Sequence, residues 1–152
     1  VPRAAQMTQK TNQFNLTTKR YTESDIVRML DDPEYDIAIF SVSDHFGDYG
    51  VTGMSIIHLK NSTARIDSLL ISCRIIGRNV ELAFFDQLVK MLLDKNIKTL
   101  VGNYISTPKN KQVEAFYDGL GFTPTTSNEL QKDFTIQLEN YKMNSLPYIK
   151  IN

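Results

Sequence analysis

The 152-residue chain is long enough for one compact domain and leaves little room for two. Its 17 basic and 17 acidic residues cancel, which argues against nucleic acid or an anionic membrane surface as a general partner. No apolar run approaches the roughly 20 residues of a membrane helix, and we recognise no signal peptide. The first residue is Val1 rather than Met, so we expect a segment of a longer protein. A single Cys73 excludes an internal disulfide, and a reducing cytoplasm is the expected compartment.

The first half of the chain predicts a strand, a short helix and a three-strand meander. Apolar residues at period two predict a strand over Gln13–Thr17. Thr22, followed by Asp25 three positions on, is typical of a helix N-terminus, and Asp31-Asp32-Pro33 ends that helix. A polar turn at 44–50 joins the first two strands of the meander. The three strands are Ile37–Ser43, Val51–Leu59 and Ala64–Cys73.

The second half alternates predicted helices and strands. A wide apolar stripe over Val80–Asp94 predicts a helix laid on a sheet. A second helix over Asn110–Leu120 ends at Gly121. Further strands are expected at Thr99–Tyr104, near Phe122 and at Asp133–Leu138, with an edge strand or tail at Tyr148–Ile151. The order predicts an α/β fold with a mixed, mostly antiparallel sheet and helices on its faces.

The turn at 74–79, Arg-Ile-Ile-Gly-Arg-Asn, lies between a predicted strand and the long predicted helix. A helix N-terminus offers unpaired N–H groups and the positive end of a dipole, which together favour a diphosphate. Gly77 would let such a ligand approach the backbone, and Arg74 and Arg78 would add forked cationic donors. The alternative for this turn alone is a solvated loop with exposed arginines.

This turn resembles the acyl-CoA pyrophosphate loop of the GNAT superfamily, whose pattern is Gln or Arg, two residues, Gly, one residue, then Gly or Ala. Arg74 and Gly77 match, whereas Asn79 departs from the small residue of the last position. Residues 110–122, ending in Phe-Tyr-Asp-Gly-Leu-Gly-Phe, are similar to the helix after the fifth strand of that superfamily. The resemblance implies a GNAT-like acyl-CoA N-acyltransferase fold and an acyl-CoA or phosphopantetheine thioester as cofactor. The residues it assigns to cofactor binding are Leu70, Arg74, Ile75, Ile76, Gly77, Arg78, Asn79 and Asn110.

A narrower resemblance covers residues 10–18, 66–68 and 70–78, which are similar to the C-terminal half of FkbH-like proteins. It implies that residues 1–12 end the connection to a preceding haloacid-dehalogenase-type domain and that 13–152 form the GNAT-like domain. The family's reaction moves a glyceryl group to an acyl carrier protein for polyketide extender units such as methoxymalonate. The Asp-x-Asp phosphotransfer motif of the preceding domain is absent here, so this chain alone cannot carry out that phosphate chemistry.

Four residues are weighed for roles at this site. The resemblance implies that Tyr117 protonates a departing CoA thiolate, and the alternative is a core tyrosine with a wet hydroxyl. Asn110 either caps its helix or bonds to the pantetheine arm. Cys73, at the end of the strand that would border the pantetheine channel, is either a reactive thiolate or a buried inert thiol. Asp67 is either a general base or a strand-face carboxylate paired with Lys or Arg.

His45 and His58 are far apart, and no cluster of His, Cys, Asp or Glu has metal-ligand spacing, so no metal is expected. Three functions stay open. The chain is an acyltransferase domain, a non-catalytic module that docks an acyl carrier protein, or a structural or dimerising domain. Fold resemblance does not decide whether it is an enzyme.

Overall fold

The computed structural model describes residues 2–11, 14–44, 47–72, 80–128, 130–144 and 150–151. Its helices are α1 (Pro2–Lys10), α2 (Glu23–Leu30), α3 (Val80–Asp94) and the single turn α4 (Phe116–Gly119), with 3-10 turns at Lys111–Val113 and Leu138–Asn140. Its strands are β1 (Phe14–Asn15), β2 (Tyr35–Asp44), β3 (Gly47–Lys60), β4 (Thr63–Ile71), β5 (Thr99–Ile105), β6 (Thr123–Ser127), β7 (Gln131–Gln137) and β8 (Lys150–Ile151). No helix in these ranges is long and apolar enough to cross a membrane.

The strands form one mixed sheet in the order β6-β7-β5-β4-β3-β2-β8, and β1 joins it beside β4. The meander β2-β3-β4 is antiparallel, as are the pairs β5-β7 and β6-β7. Among the strands described, only β4 and β5 run parallel, because helix α3 carries the chain from the end of one to the start of the other. The predicted fold class, a mixed and mostly antiparallel sheet flanked by helices, is confirmed.

Two hydrophobic clusters lie on opposite faces of the sheet. Successive side chains of a strand point to opposite faces, and β4 shows this with Leu69 and Ile71 in the cluster under α3 and Leu70 in the cluster under α1 and α2. The larger cluster includes Phe85 and most of the aromatic rings. The smaller one contains Met7 of α1, so that helix packs on the sheet. Burying each large apolar side chain contributes roughly 1.5–3 kcal/mol.

The helix signals of the sequence are confirmed at two places. Thr22 accepts from the backbone N–H of Asp25, and the Asp25 carboxylate accepts from the backbone N–H of Thr22, a reciprocal capping box at the start of α2. These bonds lower the pKa of the Asp25 carboxyl. Helix α3 spans the predicted range Val80–Asp94.

Two predicted elements differ in the structure. The expected turn at 44–50 is shorter, because β3 begins at Gly47 and the hairpin continues pairing as far as Asp44 opposite Gly47. The expected helix Asn110–Leu120 is broken into the 3-10 turn and α4. Its first N–H groups bond three residues back, Val113 to Asn110 and Glu114 to Lys111, so the chain winds too tightly to continue as an α-helix.

Gly121 follows this broken helix with a φ of 89°, so the predicted glycine stop is confirmed. The other predicted strands appear near their expected positions. The strand expected near Phe122 is β6, and the edge strand expected at the C-terminus is β8, which pairs with β2.

Candidate functional site

The strands β4 and β5 part after four paired positions, and a segment from the N-terminal region lies between their ends. Thr63–Ile66 pair with residues 99–102 of β5. Beyond that point β4 pairs with β1 instead, with Phe14 opposite Ile71 and Asn15 opposite Leu70. On its other side, this segment accepts a hydrogen bond of 2.8 Å from the backbone N–H of Ile105 to the carbonyl of Leu16. We call residues 14–17 the inserted segment.

The inserted segment is held by side chains as well as by its backbone. Phe14 and Leu16 are 3% and 0% exposed and belong to the larger hydrophobic cluster. The ring of Phe14 meets the ring of Phe116 edge to face at a centroid distance of 5.1 Å. The hydroxyl of Thr17 donates to the backbone carbonyl of Asp67 at 2.8 Å. The segment is therefore built into the sheet and the core together.

Asn110 fastens the inserted segment to β5. Its side chain is fully buried and donates to the carbonyls of Asn15 and Ile105, both at 2.9 Å. Its amide oxygen accepts from the N–H of Thr107 at 2.8 Å and from the hydroxyl of Tyr104 at 3.1 Å. The Asn110 side chain is thus saturated by these four bonds, and it makes none to the N–H groups of the 3-10 turn that it precedes. Whether it also binds a pantetheine arm stays a prediction.

Asp67 lies at a β-bulge of β4, where the register against β3 shifts between Ile56 and Ile57. The residue is 4% exposed. Its carboxylate accepts from the phenol of Tyr21 at 2.5 Å and from the ammonium group of Lys19 at 3.0 Å. Burial, together with the neighbouring carboxylate, raises the pKa of Tyr21, so this phenol stays protonated and remains a donor.

This geometry places Asp67 in a strand-face ion pair, and the predicted base role is untested. A second cation, the guanidinium group of Arg65, stands 3.9 Å from the same carboxylate oxygen as Lys19, and the hydroxyl of Ser68 donates to the other oxygen at 3.2 Å. Both carboxylate oxygens are therefore already occupied by donors of this protein, and an incoming amine would have to displace one of them to reach the carboxylate.

Tyr117 lies in the larger cluster with its ring over Gly102 of β5. A β-carbon on Gly102 would lie 2.5 Å from the ring, so glycine is what allows this approach. Tyr117 is 1% exposed, and its hydroxyl has no hydrogen-bond partner within the described part of the chain. Burial raises the pKa of Tyr117, which keeps the phenol neutral at physiological pH. A neutral phenol is the form that an acid catalyst needs, and the catalytic role stays a prediction.

The remaining predicted site residues divide into two groups. Leu70 is buried in the smaller cluster and pairs with Asn15 of the inserted segment. The other predicted residues, Cys73, Arg74, Ile75, Ile76, Gly77, Arg78 and Asn79, lie outside the described residues. The structure brings Leu70, Asp67 and Asn110 into contact with the inserted segment where β4 and β5 separate.

Sequence reasoning missed the inserted segment as part of this site, and it missed Lys19 and Tyr21. A signal was available, since residues 10–18 are one of the two nine-residue stretches on which the resemblance to FkbH-like proteins rests. The alternation of Phe14 and Leu16 predicts a strand but says nothing about which strand it pairs with. Across the ranges that the structure describes, no three His, Cys, Asp or Glu side chains are grouped to hold a metal ion.

Comparison with known proteins rests on structure rather than on sequence. No protein-family model matches the chain, and no curated protein matches it at a significant level. The structure is similar to that of the ribosomal-protein-S18-alanine N-acetyltransferase from Escherichia coli, with a TM-score of 0.68 at 14% identity over 95% of this chain and 92% of that one. It is also similar to Rv2747 from Mycobacterium tuberculosis, solved in complex with CoA, with a TM-score of 0.63 at 14% identity over 90% and 92% of the two chains.

A third similar structure is the PaiA N-acetyltransferase from Thermoplasma acidophilum in complex with coenzyme A. Its TM-score is 0.57 at 13% identity, and the match covers 74% of this chain and 66% of that chain. The chain therefore has the fold of the GNAT acetyltransferases. At these identities the likeness concerns the fold, and the activity has to be argued from the site.

Proposed function

We propose that this domain handles an acyl or glyceryl group carried as a thioester on the phosphopantetheine arm of CoA or of an acyl carrier protein. In this proposal the chain is the GNAT-like part of an FkbH-like protein, works in the cytoplasm and follows a haloacid-dehalogenase-type domain. The thioester that it handles would be a precursor of an extender unit of the methoxymalonyl type. The similar structures solved with CoA support the cofactor class, since CoA carries the same arm.

The observation that carries the proposal is the pair of elements, a strand and a long helix, that flank the turn with the arginines and the glycine. Strand β4 ends at Ile71 and the 15-residue helix α3 begins at Val80, so residues 74–79 join a central strand to a helix N-terminus. The first turn of a long helix attracts a diphosphate through its free N–H groups and dipole. Arg74 and Arg78 would add charge there, and Gly77 would admit the ligand to the backbone.

The reaction proposed for this site is acyl transfer with Tyr117 as the acid. Its phenol is neutral, and its hydroxyl has no partner among the described residues, so its proton is free to be donated to a thiolate that reaches it. Cys73 would serve as an alternative acyl acceptor, and Asp67 as the base for an incoming amine.

A second function is a non-catalytic module that docks a carrier protein. One observation favours it, the set of donors around Asp67. Lys19 and Tyr21 each bond to one oxygen of this carboxylate, so both oxygens are taken by donors of the protein rather than left open to an incoming amine. In that case the domain binds the arm and leaves the chemistry to the preceding domain.

Thermal unfolding with CoA and with 4′-phosphopantetheine at millimolar concentration tests the proposal. A ligand at about 100 times its Kd adds roughly 2.7 kcal/mol, which raises the melting temperature by a few degrees. Gly77→Trp should abolish the rise with CoA. Gly119→Trp is the matched control, because a side chain there meets open space. If neither ligand stabilises the unaltered protein, the proposal fails.

Release of free thiol from acetyl-CoA separates the two functions. A transferase releases thiol above the uncatalysed rate when amine or hydroxyl acceptors are supplied, and Tyr117→Phe should slow it by roughly 100-fold or more. A docking module binds the same ligands, but it releases thiol no faster than buffer.

A further inference from the structure

The inserted segment completes the backbone hydrogen bonding of β4 and β5 where these two strands no longer pair with each other. Where β4 and β5 separate, each exposes backbone groups toward the gap. The carbonyl of Leu69 accepts from the N–H of Leu16 at 3.4 Å, and the N–H of Ile105 donates to the carbonyl of Leu16 at 2.8 Å. An exposed strand edge of this kind is a docking site for any extended chain that carries amide groups. Here the occupant is the protein's own residues 14–17.

The groups that line this gap are those that a pantetheine-like arm needs. Such an arm is an extended chain with amide groups and a hydroxyl. Ile105 offers an N–H donor, and Asn110 offers a buried amide that now donates to the carbonyl of Asn15 at 2.9 Å. The backbone carbonyl of Asp67 accepts a hydrogen bond from a hydroxyl group, at present that of Thr17 at 2.8 Å. The segment and the arm would therefore use the same atoms, and the gap holds one of them at a time.

The segment ends in a strained turn. Thr18 has a φ of 54°, in the left-handed region that a β-branched residue rarely adopts. The side chain of Asn15 closes this turn by accepting from the N–H of Thr18 at 2.8 Å and donating to the carbonyl of Thr11 at 3.1 Å. A segment seated at the cost of backbone strain is more easily withdrawn than an unstrained one.

The strained turn also links the segment to helix α1. The guanidinium group of Arg20 donates to the carbonyl of Thr11 at 2.8 Å and to that of Thr8 in α1. The seating of residues 14–17 is thus tied to the position of the helix that precedes them. Movement of α1 would change how firmly the segment is held.

We propose that residues 14–17 are a built-in competitor for the thioester-bearing arm. With the segment seated, the gap between β4 and β5 is filled, and the arm enters only when the segment withdraws. This inference rests on the proposed function, because it takes the arm of CoA or of a carrier protein as the ligand. The apparent affinity for the arm is reduced by the fraction of molecules in which the segment is seated.

Calorimetric titration of CoA and of 4′-phosphopantetheine into three variants and the unaltered protein tests this. Thr17→Val keeps the shape of the side chain and removes its bond to Asp67, so it loosens the segment and should tighten binding roughly fivefold. Thr18→Asn places at the positive φ a residue that tolerates it, so the segment seats more firmly and binding should weaken a few-fold. Thr99→Val is the matched control at the far end of β5 and should bind as the unaltered protein does.

The outcomes separate the two proposals. Opposite changes in Thr17→Val and Thr18→Asn, with Thr99→Val unchanged, support competition. Equal affinities in all four proteins overturn the competitor and leave the proposed function standing. Absence of binding in all four overturns both. Melting temperatures measured in parallel show that each variant is folded.

Discussion

The same edge of β4 is closed in two different ways along its length. Over Thr63–Ile66 it pairs with β5, which is itself held on its other side by β7. Near its end it pairs with the two-residue strand β1. The first half is closed by the continuous sheet, whereas the second is closed by a short segment with a strained exit at Thr18. In the account proposed above, the half of this edge that β5 covers is permanent, and the half that the inserted segment covers is exchangeable.

The largest expected effect on unfolding free energy comes from truncating one core side chain in each half of the β4 edge. Leu100 of β5 is fully buried in the paired half, so Leu100→Ala should cost about 2–5 kcal/mol of unfolding free energy. Phe14→Ala removes a larger side chain, for which about 3–5 kcal/mol is usual. Because the segment can withdraw, the loss is limited to the free energy that seats it, and Phe14→Ala should cost less than Leu100→Ala. Urea unfolding measures both, and a cost for Phe14→Ala at the full usual value would make the segment integral to the fold.

The next largest effect on stability is expected from adding a side chain in the half of the β4 edge that pairs with β5. A β-carbon on Gly102 would lie 2.5 Å from the ring of Tyr117, so Gly102→Ala should destabilise by about 1–3 kcal/mol. Gly119→Ala is the control, since nothing lies within 4 Å of a β-carbon there, and it should be neutral or slightly stabilising. Equal unfolding midpoints for the two variants would mean that the ring does not rest on β5.

Removing the buried hydroxyl of Tyr117 has a smaller effect on stability. The hydroxyl has no partner among the described residues, so Tyr117→Phe should leave the melting temperature unchanged or raise it, by an amount worth no more than about 1 kcal/mol. A clear loss of stability would reveal a bond to a part of the chain beyond those residues. The same variant in the thiol-release assay tests the acid role separately.

The smallest effect concerns the other side of β5, where Asp133 of β7 accepts from Thr126 at 2.7 Å and also from Asn103. These bonds lower the pKa of Asp133 in the folded state. A depressed folded pKa contributes stability above the unfolded value of 3.8 and loses it as the pH falls through the folded pKa. Asp133→Asn should therefore lower the melting temperature at pH 7, and the difference should shrink as the pH falls below 3.8. A difference that stays constant over that pH range would contradict this linkage.

The sequence predicted the elements better than their partners. The apolar stripe of α3 and the Thr22 cap depend only on residues close together in the chain, so they could be predicted from the sequence. The pairing of β1 with β4 depends on residues distant in the chain, which periodicity does not encode. The break between Val113 and Phe116 was missed because inward side chains at this spacing fit an α-helix and a broken one equally well.

The candidate site was predicted in part for the same reason. Residue types at a turn, such as Gly77 between two arginines, can be interpreted without a structure, whereas the partners of a buried polar group cannot. Asn110 was expected to cap a helix or bind an arm, and it binds the backbone of the inserted segment. Asp67 was expected to be a base or an ion-pair member, and Lys19 and Tyr21 were not identifiable as its neighbours from spacing.

Amide hydrogen exchange of Leu16, measured with and without saturating CoA, tests the exchangeable half of the β4 edge most directly. In the free protein the Leu16 amide should exchange faster than the amide of Leu100, since the segment opens without unfolding the sheet. Bound CoA should remove the remaining protection of Leu16 and leave that of Leu100 in place. If Leu16 exchanges as slowly as Leu100 and CoA binds without changing it, the segment is a fixed strand and the account of an exchangeable edge is wrong.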